Sequence, residues 1–259
     1  MIATYPTTKS AKPTSNPTSN PTHNSIQKYA RLAGVLYLLI TVLAVFVHFY
    51  VPGQLIVAGD AVTTAENIRA SGGLFRLGIA GELILLLSEV ALSLILYVLL
   101  RPVDKTLSLV AAVARLVMTT VHGANLLAQF AVLALVSGAG YLAVFDPEQL
   151  GAFAMVLLDA SSYGFSAGIL FLTLHAAVLG YLIIKSGYFP KVIGVLFIIA
   201  SVGYLVDSFS HVLIPGYVTG APVIAIPIAL SEIAFPLWLL IKGVNANRWE
   251  GRALTAATA

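Results

Sequence analysis

Beyond residue 27 the chain alternates between long apolar blocks and short polar connectors. Six blocks, near 31–52, 76–100, 107–136, 152–184, 192–213 and 223–241, match or exceed the roughly 20 helical residues that cross a hydrocarbon core of about 30 Å. The pattern predicts an all-α fold, a polytopic membrane helix bundle with six transmembrane helices. The third and fourth blocks are longer than a span requires, so they are expected to tilt or to project from the bilayer. Residues 1–27 break the pattern. The stretch from Lys12 to Thr22 is a Pro/Thr/Ser/Asn tract with an Asn-Pro-Thr near-repeat, too poor in apolar surface to offset the entropy of ordering it. No apolar h-region lies near the start, so it is not a signal peptide. The expected organisation is a disordered tail over 1–27, a six-helix transmembrane domain over 28–245 and a short tail over 246–259. In the longest connector, 53–75, Thr63-Thr64-Ala65-Glu66 matches a capping box and Ser71-Gly72-Gly73 supplies a stop, which predicts a short helix on the outer face.

Composition agrees with this reading. The chain is 59% hydrophobic and 10% charged, against roughly 45–50% and about 25% in soluble domains. A soluble enzyme and a nucleic-acid-binding domain are excluded, and the lipid bilayer is the expected partner. The absence of cysteine removes disulfides, thiolate metal sites and cysteine nucleophiles.

The basic residues give an orientation. With six spans, Lys9, Lys12, Lys28, Arg31, Arg101, Lys105, Lys185, Lys191, Lys242, Arg248 and Arg252 fall on one side. Only Arg69 and Arg76 fall on the other, and Arg115 lies inside the third span. The positive-inside rule then puts both termini in the cytoplasm, with the bacterial cytoplasmic (inner) membrane as the expected location. An aromatic precedes the basic residue at three inner ends, Tyr97 before Arg101, Tyr181 before Lys185 and Trp238 before Lys242, the pattern of interfacial anchors.

Ionisable groups inside a bilayer are costly and mark function or buried pairing. Counting from the basic ends at about 1.5 Å per residue puts Arg115, His175, Glu232 and Glu89 near the midplane. His122, Asp207, His48, Glu82 and His211 come out in the outer leaflet. Glu82 and Glu89 are seven residues apart, as are Arg115 and His122, so each pair shares a helix face. Folding the second and third spans as a hairpin about residue 103 sets Glu89 level with Arg115, and Glu82 level with His122 or Asn125. The third span continues as a polar stripe through Thr119, His122, Asn125 and Gln129. Glu232 sits between Pro227 and Pro236, and Pro236 cannot donate to the carbonyl of Glu232. A carboxylate and a freed carbonyl therefore meet at midplane depth, as in the interrupted helices of transporters. Arg115 thus has two candidate acid partners, Glu89 and Glu232.

Two candidate sites follow. Glu89, Arg115, Glu232, Glu82 and His122 form a ligand or ion pocket, whose ligand would be a small molecule or ion. His48, His122, Asp207 and His211 form a His/carboxylate metal site in the outer leaflet. His175 shares a face with Gly164 and Gly168, a spacing for close helix contact, and has no second histidine at its depth to clamp a haem.

Short motifs through the chain resemble one family. They are Arg31-Leu32-Ala33-Gly34-Val35-Leu36-Tyr37, Val57-Ala58-Gly59-Asp60-Ala61, Thr64-Ala65-Glu66-Asn67-Ile68, Leu74-Phe75-Arg76, and Leu96-Tyr97-Val98-Leu99-Leu100-Arg101-Pro102-Val103. Gly180 to Gly187, Pro190, Gly194, Gly203-Tyr204, and Leu237-Trp238-Leu239-Leu240-Ile241-Lys242-Gly243 complete the set. Over roughly residues 28–245 the chain resembles the bacterial integral-membrane family catalogued as domain of unknown function number 4386. The resemblance implies a multi-span inner-membrane protein and carries over no catalytic or binding residue. Three functions fit the residues: a transporter or ligand-binding membrane protein with a midplane polar pocket, an intramembrane metal-dependent enzyme, and a non-catalytic structural component.

Overall fold

The computed structural model describes residues 21–217 and 220–258, and among these the regular elements are all helical. The first span begins as α1 (Pro21–Val45), widens into a π-helical stretch (Phe46–Tyr50) and ends as α2 (Val51–Leu55). Next come α3 (Ala61–Ala70), α4 (Gly72–Leu100), α5 (Lys105–Leu135), α6 (Pro147–Ser186), α7 (Lys191–Leu213), α8 (Pro222–Ile241) and α9 (Ala246–Thr258). Six segments are long and apolar enough to cross a membrane: Asn24–Leu55, α4, α5, α6, α7 and α8. The protein is a multi-pass membrane protein, and the six expected spans stand. Of the tail expected over 1–27, residues 21–27 instead form the first turns of α1, with Ile26 buried. Residues 1–20 lie outside the described residues.

The six spans close into a ring. Each packs antiparallel against its neighbour in sequence, and α8 packs back on α1. Side chains fix every seam: Ser93 Oγ donates to the Ala112 carbonyl at 2.9 Å, and Asn125 Nδ2 to the Ser161 carbonyl at 2.7 Å. On α1 and α8, Tyr37 meets Phe235 edge-on at 6.1 Å between ring centroids. The amphipathicity is inverted relative to a soluble bundle. Val42, Leu87, Leu127 and Val202 are exposed on the rim, while Glu89, Arg115 and His175 are buried. That arrangement suits lipid, where apolar side chains gain nothing by turning inward and polar ones must find partners inside.

Glycines set the tightest seams. A Cβ on Gly180 would lie 2.6 Å from the Gly194 carbonyl oxygen, and one on Gly194 would lie 2.5 Å from that of Gly180. The backbones of α6 and α7 therefore touch. Between α5 and α6, Gly164 and Gly168 make room for the side chains of Asn125 and His122.

The end opposite the basic residues carries α3, which packs against α6. The short helix is present, but its cap is not the expected one: Asp60 is the N-cap, and Glu66 is exposed. Thr63 donates to Asp60 through its hydroxyl at 2.7 Å and its amide at 2.9 Å. Those bonds hold the Asp60 carboxyl below the usual carboxylate range. The start of α6 reaches beside α3, since a Cβ on Gly151 would lie 3.0 Å from the Ala61 carbonyl. At about 1.5 Å per residue, the 40 residues of α6 outrun a bilayer, as expected of the fourth block.

The basic end is finished by α9. Arg248 Nη1 donates to the Gly187 carbonyl at 2.7 Å and Arg252 Nη2 to that of Lys185 at 2.6 Å. Both serve the C-terminal end of α6, where carbonyls lack intrahelical donors. Trp249 Nε1 and the Tyr188 hydroxyl both donate to the Leu99 carbonyl, at 2.9 and 2.7 Å. The segment expected as a plain tail over 246–259 is thus, through Thr258, a docked helix.

Candidate functional site

Two polar layers cross the ring. In the layer nearer the basic end, Arg115 of α5 is almost completely buried. Its Nε and Nη2 donate to the two carboxylate oxygens of Glu89, the second at 3.0 Å. Its Nη1 lies 3.0 Å from His175 Nε2. The other ring nitrogen, Nδ1, lies 2.8 Å from the Ala111 carbonyl. A carbonyl only accepts and a guanidinium only donates, so the tautomer that satisfies both carries its proton on Nδ1. The guanidinium carbon sits 5.0 Å over the Tyr37 ring, close enough for a cation–π contact.

Glu232 of α8 is in the same layer but outside that cluster. The Tyr204 hydroxyl donates to its Oε1 at 3.0 Å, and the Arg115 guanidinium and the Tyr37 hydroxyl also act on it. Of the two acids competing for Arg115, Glu89 has the direct pair. The layer holds two carboxylates and one guanidinium. Glu232 and Tyr204 are also half-buried, whereas Phe197, Phe235 and Leu239, towards the basic end, are sealed.

The second layer is a set of rings and short polar links. His48 Nε2 lies 3.3 Å from Glu82 Oε2, an oxygen with no hydrogen-bond donor among the described residues. The Phe165 ring has His48 at 4.6 Å and His122 at 4.8 Å between centroids. His122 Nε2 reaches the Phe165 carbonyl at 3.1 Å, and Ser166 Oγ lies 2.7 Å from His211 Nδ1. His48 stands in the π-helical stretch, and the cause is Pro52. With no N–H at 52, the His48 carbonyl loses its donor, and the Val51 N–H bonds five residues back to Phe46. The same four-residue step separates Glu232 from Pro236.

Residues 32–243 match the family described as Domain of unknown function (DUF4386). The chain belongs to that family. A protein of Archaeoglobus fulgidus, described as an uncharacterized protein, is 30% identical to this DUF4386 chain over 165 residues, covering 64% of the chain and 83% of that relative. No solved structure matches the chain significantly.

The DUF4386 fold brings Glu89, Arg115 and Glu232 into one layer and puts Glu82 and His122 in the next. Glu82 does not pair with His122 or Asn125 as the hairpin register suggested; it pairs with His48 across the α1–α4 seam. The four residues expected to share a metal have separate polar partners, although His48 and His122 flank the same Phe165 ring. His48 faces Glu82, His122 a carbonyl and His211 a serine, while Asp207 accepts from the Tyr217 hydroxyl and the Gly220 amide, both at 3.0 Å. Among the described residues no three His, Asp or Glu side chains group as metal ligands. His175 serves Arg115 rather than the Gly164–Gly168 contact. Tyr37, Tyr204 and Phe165 were not expected at the site. Tyr204 had a signal, three residues before Asp207 on one face; an aromatic in an apolar run, as Tyr37 and Phe165 are, has none.

Proposed function

We propose that this protein is a cation-binding membrane protein of transporter type, resident in the cytoplasmic membrane with its basic end in the cytoplasm. The site is Glu232 with Tyr204 and Tyr37 as its hydroxyl partners. One observation carries the reading: Glu232 is a half-buried carboxylate at midplane depth with no salt-bridge partner among the described residues, since Arg115, which acts on it through space, is bonded to Glu89 and set against His175. A surplus negative charge in that layer attracts a proton or a positively charged solute. Pro236 has no N–H to donate, which leaves the Glu232 carbonyl as a further acceptor. Access runs from the end opposite the basic residues, where Tyr204, Asp207 and His211 are half-buried rather than sealed.

The test is binding of the lipophilic cation tetraphenylphosphonium to the purified protein in detergent. The wild type should bind it, Glu232→Gln should abolish binding, and Tyr204→Phe should weaken it about tenfold, the loss of one hydrogen bond to a charged group. If Glu232→Gln binds as well as the wild type, the reading is wrong.

Orientation is tested separately. With no native cysteine, single thiols placed at the exposed positions Ser71 and Asn247 report the two ends. A membrane-impermeant maleimide on intact cells should label Ser71→Cys and spare Asn247→Cys until the cells are opened. The reverse pattern would invert the topology.

A further inference from the structure

A cavity of about 440 Å³ opens at the basic end, between the α6–α7 turn, the end of α8 and the α8–α9 connection. Its polar lining is made of donors. Lys242 forms no ion pair among the described residues. Arg248 commits one N–H group to the Gly187 carbonyl. Trp238 brings a buried indole N–H that meets no acceptor among the described residues. Asn245 uses its side-chain oxygen on the Arg248 amide, at 3.2 Å, which leaves its NH2 group. Among the described residues no Asp or Glu lines the cavity, and Glu250, whose Oε1 also meets no partner among them, is outside the lining.

A buried donor without an acceptor is destabilising, and Trp238 lines this cavity together with two cationic side chains. We propose that this cavity binds a phosphate-bearing anion, with Lys242 and Arg248 as the charged contacts and Trp238 Nε1–H as a donor that a small turn of the indole brings to it. The chemistry is that of a phosphate oxygen: several lone pairs, negative charge and room for three donors. The depth selects the source. The cavity opens where three spans end and the basic residues gather, which is where lipid headgroups sit, and basic pockets between membrane helices accept anionic headgroups there. The aromatic–basic pair Trp238…Lys242, which in sequence reads only as an interfacial anchor, is then a binding pair.

The experiment uses the full chain in detergent. Wild-type protein is titrated with dioleoylphosphatidylglycerol, with dioleoylphosphatidylcholine and with inorganic phosphate, following thermal stabilisation and tryptophan emission. Phosphatidylglycerol should bind tighter than phosphatidylcholine by about tenfold, one charge-assisted contact. Trp238→Phe, which keeps the ring and removes the N–H, should weaken binding about fivefold, and Lys242→Gln about tenfold. Lys242 is exposed, so Lys242→Gln reads binding without disturbing the packing. Saturable inorganic phosphate binding, lost in both variants, with no preference between the lipids, assigns the site to a soluble phosphate. Absence of both phosphate binding and lipid preference overturns the proposal. So does phosphatidylglycerol binding that neither variant changes, since the anion would then sit elsewhere.

Discussion

Arg115→Ala is expected to destabilise the detergent-solubilised protein by about 3–5 kcal/mol, the range for removing one partner of a buried ion pair. The reason is what remains. Glu89 would be left buried with both guanidinium bonds gone, and His175 Nε2 would lose its donor. Glu82→Gln should cost far less, about 1 kcal/mol, because its partner His48 is half-buried and one of its oxygens already lacks a hydrogen bond. Thermal unfolding of the two variants side by side is the measurement, and equal midpoints would refute the pairing. The double variant Arg115→Met with Glu89→Gln should recover much of the loss, since a buried pair removed whole leaves no stranded charge.

The second large effect is at the α6–α7 crossing. In an ordinary helix interior Gly→Ala gains about 1 kcal/mol of propensity. At Gly180 the sign should reverse. The added methyl would sit 2.6 Å from the Gly194 carbonyl oxygen and 3.1 Å from the Ile198 amide nitrogen. Backbone cannot swing aside as a side chain can, so the two helices must part, at a cost of about 2–3 kcal/mol for overpacking. Gly180→Ala and Gly194→Ala should be similarly damaging and not additive, because either alone separates the same pair of backbones. Gly251→Ala, on α9 with open space around its Cβ position, is the control and should be neutral or stabilising. A stabilised Gly180→Ala would mean that the crossing is looser than described.

The spans were legible because lipid imposes a single requirement, a long apolar helix, and the sequence meets it six times. The Glu89–Arg115 pair was legible because both residues belong to one tight hairpin, so counting from its turn sets their level. The same count failed for Glu82. A seven-residue step drifts roughly 20° around a helix, and in a closed ring α4 has a second neighbour. Glu82 turns to α1, whose position no local pattern reveals. His48 was placed level with Glu82, with which it pairs, but its π-helical backbone went unread although Pro52 stands four residues on. The Asp60 cap lost to Thr63 in the sequence because a capping-box match outweighed a lone Asp before the helix. Docking of α9 depends on carbonyls at the ends of α4 and α6, which no residue in α9 announces.

The order of helices around the ring has a consequence for how the chain enters the bilayer. Spans arrive from the N-terminus onward. His48 and Glu82 belong to successive spans, Glu89 and Arg115 to the next pair, Tyr204 and Glu232 to the last. Each ionisable group can therefore leave the insertion machinery beside a partner made immediately before or after it. Lipid need never meet an unaccompanied carboxylate while a distant counterpart is still being synthesised. His175 follows on the span directly after Arg115, so only the return of α8 onto α1 waits for the last helix, and that step adds no charge that must cross alone.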